Sequence, residues 1–209
     1  MSSPKQLIEG FHRFREHHFA EDAVRFQDLV QFGQTPKALV VACCDSRVDP
    51  ALVLDCAPGD LFVIRNVANL VPPAENQGHY HGTSAALEFG VRNLAVPHVI
   101  VLGHAQCGGI HALLEGGVSR DESFIAEWMG IADAARQQVE KDLAGASEKQ
   151  RHRACEQQAI LVSLGNLMTF SWIRERVEQG KLTLHGWYFD IEGGELLGYN
   201  VTTRQFETL

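Results

Sequence analysis

Basic excess is the first thing this chain lacks. Lys and Arg number 18 against 26 Asp and Glu, a formal net charge of −8. Binders of nucleic acid and of anionic membranes usually carry the opposite balance, so neither partner is expected. A long apolar run is missing too, and nothing approaches the roughly 20 residues that span a bilayer. The opening residues, MSSPKQLIEGFHRFREHHF, contain no apolar segment of the secretory kind, so the expected location is cytoplasmic. No G-x-G-x-x-G follows a strand-like run and no Walker lysine is present, which weakens a nucleotide-binding reading. An even set of cysteines is also missing. The five (Cys43, Cys44, Cys56, Cys107, Cys155) read as free thiols or metal ligands, not as a disulfide framework.

What is present is ordinary globular composition, 45% hydrophobic and 21% charged over 209 residues. A chain of that length buries a core without staples. No internal repeat or Pro/Ser-rich linker divides it. The expectation is one domain over 1–209, with an N-terminal helical arm (1–33) and an α/β core (34–209).

In residues 5–32, Leu7, Phe11, Phe14, Phe19, Val24, Phe26, Leu29 and Val30 recur at helical spacing. KALVVAC (37–43), DLFVIR (60–65) and HVIVLG (98–103) are short apolar runs of the kind buried in parallel sheets. Residues 82–94 have helical spacing, and a short helix is expected after Gly108 and Gly109. Residues 121–143 and 147–179 read as longer helices, the second opened by a Ser147/Gln150 capping box and stopped at Gly180. Residues 181–191 and 195–201 read as strands joined at Gly193–Gly194. The alternation predicts an α/β fold with a mostly parallel central sheet flanked by helices.

Ligands of such sheets gather at the carboxyl ends of the strands. There, KALVVA is followed by Cys43-Cys44-Asp45-Ser46-Arg47, and HVIVLG by His104-Ala105-Gln106-Cys107-Gly108-Gly109. Cys43, His104 and Cys107 make a Cys₂His donor set, which zinc accepts with a fourth tetrahedral position left for water. A lone strand-end cysteine is more often a small buried hydrophobe; the His-x-x-Cys partner shifts the balance for Cys43. Neighbouring strand residues face opposite sides, so only one of Cys43 and Cys44 can face a metal. On residue type alone, Asp45 and Arg47 are equally a structural ion pair. Cys56 and Cys155 have no partner motif and read as packing thiols. His79 and His81 lie in a polar loop, where imidazole could shuttle protons but a loop or interface role is the commoner one. His12, His17 and His18 read as exposed helix residues.

C-x-D-S-R (Cys43, Asp45, Ser46, Arg47) and H-x-x-C-G-G (His104, Cys107, Gly108, Gly109), with RNVAN at 65–69 and HGTSAALEFGV at 81–91, resemble the β-class carbonic anhydrases over roughly residues 34–201. The resemblance implies reversible hydration of CO₂ to bicarbonate by attack of zinc-bound hydroxide, with one zinc per chain on Cys43, His104 and Cys107. Its spacing places the ligand two residues before Asp45, which selects Cys43 over Cys44. It makes Asp45 and Arg47 a catalytic pair, with Arg47 holding the carboxylate. It assigns Gln34, Phe62, Val67, Phe89 and Gly108 to substrate binding. Val40 and Phe189 stand where one bacterial subgroup has the tryptophan and tyrosine of an inhibitory bicarbonate site, so a plant-like, open site is expected. Homodimers or homotetramers are implied, with the N-terminal helices embracing a neighbour and Gln34, Phe62 and Phe89 serving a partner's zinc. Hydrolysis of carbonyl sulfide or carbon disulfide, or a non-catalytic structural zinc site closed by Cys44 or Asp45, are the alternatives.

Overall fold

The structure, a computed structural model, describes residues 3–75, 81–116 and 123–209. Six strands form one sheet: β1 (Ala38–Cys43), β2 (Leu61–Asn66), β3 (His98–His104), β4 (Thr183–Asp190), β5 (Glu195–Asn200) and β6 (Gln205–Thr208). Their order is β2-β1-β3-β4-β5-β6. The first four run parallel, and β5 and β6 return antiparallel. β1 is buried along its whole length. That double-sided burial is why its sequence is a continuous apolar run instead of an alternation.

The helices are α1 (Pro4–Phe14), α2 (Ala23–Phe32), α3 (Pro50–Val53), α4 (Gly82–Glu88), α5 (Gly108–Leu114), α6 (Phe124–Met129), α7 (Asp133–Asp142), α8 (Glu148–Leu167) and α9 (Ser171–Glu178). Wider π turns extend α1 through Arg15–Phe19 and α4 through Phe89–Asn93. Among the described residues, no helix is long and apolar enough to cross a membrane.

Both long helices expected from the sequence are broken. Residues 121–143 split into α6 and α7 around a 3₁₀ turn at Gly130–Ala132, and the first two of that stretch lie outside the described residues. Residues 147–179 split at Phe170, which is extended (φ −75°, ψ 114°) and precedes α9. On either side of the break, Leu167, Phe170 and Ile173 all reach the same core cluster. The Ser147/Gln150 capping box forms with both of its reciprocal bonds. Two short elements were not anticipated. α3 starts at Pro50 with Asp49 capping the Ala51 and Leu52 amides. β6 has one large apolar residue, Phe206, which packs on Tyr188 and Tyr199.

α8 packs across β3 and β4, where two glycines make room for it. A Cβ on Gly103 would stand 2.7 Å from Ile160 Cδ1, and one on Gly186 would stand 2.9 Å from Ile160 Cγ2. Ile160 is itself fully buried and has nowhere to move.

The N-terminal arm is held where α2 meets the core. Arg25 donates to the Pro58 carbonyl (2.8 Å) and to Asp60 (2.9 Å), and Lys37 pairs with Asp60 at 3.1 Å. Much of the arm's apolar surface faces outward: Leu7 is 75% exposed, Phe11 58% and Val30 88%. His12, His17 and His18 are exposed, as expected.

Gly103→Ala is expected to destabilise the chain by about 1–3 kcal/mol through overpacking. Chemical denaturation of Gly103→Ala, Ile160→Ala and the double variant checks this. The double variant falls short of the sum of the two single losses if Ile160 is the clashing neighbour.

Candidate metal centre

The register brings the two motifs together. Ala42 pairs with Leu102 across β1 and β3, so Cys43 and His104 end adjacent parallel strands on the same edge of the sheet. Past His104 the chain turns through Gln106, which sits in the left-handed region (φ 59°), and returns Cys107 to the start of α5. One donor atom from each of Cys43, His104 and Cys107 lies within 4.8 Å of the others, and all three residues are buried. Cys44 is exposed, so strand alternation separates the two cysteines as the sequence implied.

The donor chemistry fits a thiophilic cation. His104 Nδ1 lies 2.9 Å from the Ala105 carbonyl oxygen. A carbonyl only accepts, so Nδ1 carries the proton and Nε2 presents its lone pair. That Nε2 is buried with no hydrogen-bond partner among the described residues. A hydrogen bond from the Cys107 thiol, acting against burial, together with nearby His104, pulls the Cys43 thiol down to about 4. Sharing that proton with Cys43, together with burial, pushes Cys107 upward. Two sulfurs this close ionise together only with a cation between them. An orphaned imidazole nitrogen, one thiolate and a second thiol suit zinc. By contrast, burial pushes Cys155 up to about 12, and both Cys155 and the half-buried Cys56 lie outside the cluster.

Asp45 stands beside this cluster and is fully engaged by Arg47. Its Oδ1 accepts from the Arg47 backbone N–H (2.9 Å) and from Nε (2.9 Å), and its Oδ2 accepts from Nη2 at 2.7 Å. Arg47 also donates to the Gln106 carbonyl at 3.0 Å, tying the two motif loops together. The guanidinium holds the Asp45 carboxyl well below the usual carboxylate range.

Three supports surround the cluster, and two of them, Arg65 and Glu156, escaped the sequence reading. Arg65 donates to the carbonyls of Cys43 (2.9 Å) and Asp45 (2.7 Å) and to the Asp49 carboxylate (2.9 Å), so one side chain fixes the whole first loop. Glu156 of α8 is 5% exposed and accepts from the Cys107 backbone N–H (3.0 Å) and the Tyr188 hydroxyl (2.7 Å). Its signal in the sequence is a lone acid on the face of α8 that also carries Cys155, Ala159, Ile160 and Ser163. Gly109 is the third: a Cβ there would stand 3.0 Å from Val67 Cγ1 and 3.2 Å from Ala68 Cβ. Gly108, in contrast, faces open space.

The remaining candidates divide. Val67 lies at the site, against Gly109 and in a recess shared with Cys44 and Trp128. Gln34, Phe62 and Phe89 do not reach it within one chain. Gln34 precedes β1, and the strand's five steps carry the chain about 16 Å to Cys43. Phe62 pairs with Leu39 near the start of β1. Phe89 stacks on Phe62 with centroids 5.8 Å apart and is 45% exposed. Val40 and Phe189 pack inside apolar clusters. His81 borders the Val67 recess, whereas His79 lies outside the described residues.

Comparison with known proteins follows the same residues. The family model described as carbonic anhydrase matches residues 38–196. Beta carbonic anhydrase 3 of Arabidopsis thaliana is 34% identical over 197 residues, covering 93% of this chain and 76% of the relative. The mitochondrial beta carbonic anhydrase 6 of the same plant is 38% identical over 188 residues, which is 89% of this chain. This chain spans only 64% of that relative's length. Among solved structures, the β-carbonic anhydrase CcaA superposes with a TM-score of 0.92 at 34% identity, covering 98% of this chain and 91% of that one. A tetrameric β-carbonic anhydrase of the ascomycete Sordaria macrospora gives 0.83 at 29% identity, covering 93% and 95%.

The two adjacent cysteines make a sharp test. Cys43→Ser is expected to lose bound zinc, and Cys44→Ser to keep it at the level of the unaltered chain. Elemental analysis of the purified proteins reads both.

Proposed function

The chain belongs to the β-carbonic anhydrase family, and from that premise we propose that it catalyses the reversible hydration of CO₂ to bicarbonate at Cys43, His104 and Cys107. The observation that carries the reading is the buried Cys₂His cluster with an arginine-locked carboxylate beside it. Bound there, zinc would supply a Lewis acid that lowers the pKa of a water molecule, tempered by the charge of two thiolates.

The chain's own residues do the rest. Asp45 stays ionised through the neutral range, so it accepts a proton and cannot donate one. Its Oδ2 takes one bond from Arg47 and keeps lone-pair capacity for a water or hydroxyl proton. Arg47 fixes the carboxylate plane, and with it the direction from which Oδ2 accepts that proton, which turns the lone pair of the proton-bearing oxygen toward CO₂. Val67 supplies apolar surface for a non-polar substrate. Open space where a Gly108 side chain would stand leaves room for a substrate beside that stretch of backbone.

Support for catalysis over a closed structural site comes from the donor count. Among the described residues the cluster has three members. Cys44 is exposed and Asp45 is held by Arg47, so neither stands as a fourth ligand. The relatives described above are named carbonic anhydrases, which supports CO₂ over its sulfur analogues.

Placement of Gln34, Phe62 and Phe89 at the far end of the sheet supports a site completed across a subunit boundary. The outward-facing Phe62–Phe89 stack and the apolar arm give a second copy of the chain something to cover. A homodimer or homotetramer meets that need.

A stopped-flow CO₂ hydration assay on the zinc-loaded protein tests the activity. Turnover is expected to climb as pH rises above neutrality, because two thiolates leave zinc a weaker Lewis acid. A profile flat from about pH 6 to 9 contradicts that electrostatic argument. Asp45→Asn, which keeps shape and removes the charge, is expected to lower kcat/KM on the order of 10²-fold. Site sharing has its own test: chains carrying Cys43→Ser and chains carrying Gln34→Ala are mixed into hybrid oligomers. Activity above that of either parent is expected only if a chain with intact ligands borrows Gln34 from its neighbour.

A further inference from the structure

A second cluster of ligating side chains lies outside this centre, between α5 and α8. His111 and Glu115 stand one helical turn apart on α5, and Glu148 and His152 one turn apart on α8. One donor atom from each of the four lies within 4.8 Å of all the others. We propose that these four residues form a second divalent-cation site, selective for ions of the zinc, cobalt and nickel type.

The donor set argues for that class. Two imidazole nitrogens and two carboxylate oxygens suit borderline transition ions, whereas calcium and magnesium prefer all-oxygen shells. Two carboxylates also neutralise a 2+ charge. The two rings meet edge to face with centroids 4.7 Å apart, and their Nδ1 atoms are 3.3 Å apart. Two nitrogens each about 2.0–2.1 Å from a tetrahedral ion stand about 3.3 Å apart. The imidazoles are therefore already at ligand spacing. The Nδ1 contact is a ring-to-ring hydrogen bond whose proton an entering ion would displace, and the carboxylates stand close by, Glu115 3.0 Å from His111 Nε2 and Glu148 4.0 Å from His152 Nε2, within reach of the same ion. An ion can enter from solvent, since the His111 side chain is 48% exposed, Glu115 52% and Glu148 73%. His152, at 19%, anchors the inner side. Arg151 lines the same recess as Glu115, Glu148 and His152, and its positive charge makes this the weaker of the two metal sites.

The position gives such an ion a mechanical consequence. The His111 backbone N–H donates to the Cys107 carbonyl at 2.9 Å. Glu156, one turn beyond His152 on α8, accepts from the Cys107 N–H. An ion bound to all four residues would clamp α5 to α8, the two helices that bracket Cys107 from either side.

Titrating the full-length zinc-loaded protein with Co²⁺, followed by calorimetry and visible absorption, tests the site. The expected result is one additional equivalent per chain with nitrogen/oxygen-type bands and no sulfur-to-cobalt charge transfer. Such charge transfer would instead report exchange at Cys43 and Cys107. The His111→Ala/His152→Ala double variant is expected to weaken the additional equivalent at least tenfold while keeping circular dichroism and tightly held zinc unchanged. Glu115→Gln and Glu148→Gln alter exposed side chains and serve as the milder pair, each weakening the same equivalent. No additional equivalent in the unaltered protein overturns the proposal, as does one that persists undiminished in the double variant. The additional equivalent is counted separately from CO₂ hydration, so a loss of the proposed activity would leave this result standing.

Discussion

Two sulfurs and one imidazole nitrogen converge in a buried place where they cannot all be satisfied by each other. His104 Nε2 has no partner among the described residues, and the Cys43 and Cys107 sulfurs contend for a single proton. Burying polar groups in that condition is costly, and a cation between them removes the cost. The surrounding structure is arranged to hold this frustrated trio in place. The parallel pairing of β1 and β3 sets the first two donors side by side, and the left-handed residue Gln106 turns the chain to deliver the third.

The supports around the trio act through the backbone more than through the donors themselves. Arg65 grips the carbonyls on either side of Cys44, and Glu156 grips the Cys107 amide from the opposite helix. Burial of Glu156 pushes its carboxyl upward, and its bonds to Tyr188 and Cys107 work against that rise. Gly109 permits the α5 backbone to approach Val67 and Ala68 so closely that a side chain there would have to push them aside. The Asp45–Arg47 pair then sits on a rigid frame, which is what an orienting carboxylate requires.

The same sheet that builds the centre separates it from part of its proposed substrate pocket. Half-buried Phe62 and exposed Phe89 form an aromatic pair near the start of β1, while the donors lie at its end. A single chain thus carries one half of the proposed site at each end of its sheet. The proposed pairing of two copies would join unlike halves, with the apolar arm as the surface that draws them together.

Much of this was legible in the chain before any coordinates. Unbroken apolar runs marked β1 and β3 because burial on both faces leaves no polar side to show, whereas the run that marked β2 belongs to an edge strand that is only half-buried. The meeting of Cys43, His104 and Cys107 was legible because the ends of neighbouring parallel strands and the helix start that follows share one end of the sheet, and the Ser147–Gln150 box because capping is a local contact. Tertiary structure alone decided the rest. The breaks at Gly130 and Phe170 place Met129, Ala132, Phe170 and Ile173 in the core, and β6 pairs with β5 while its Phe206 packs on Tyr188 and Tyr199. Arg65 and Glu156 became part of the centre through contacts 22 and 49 residues distant in the chain. The pairing of His111 with His152 has the same origin, since each helix shows only an ordinary His–Glu turn. Local sequence records what a residue needs from its near neighbours; which distant residue meets the remaining need is settled by the packing of helices on the sheet.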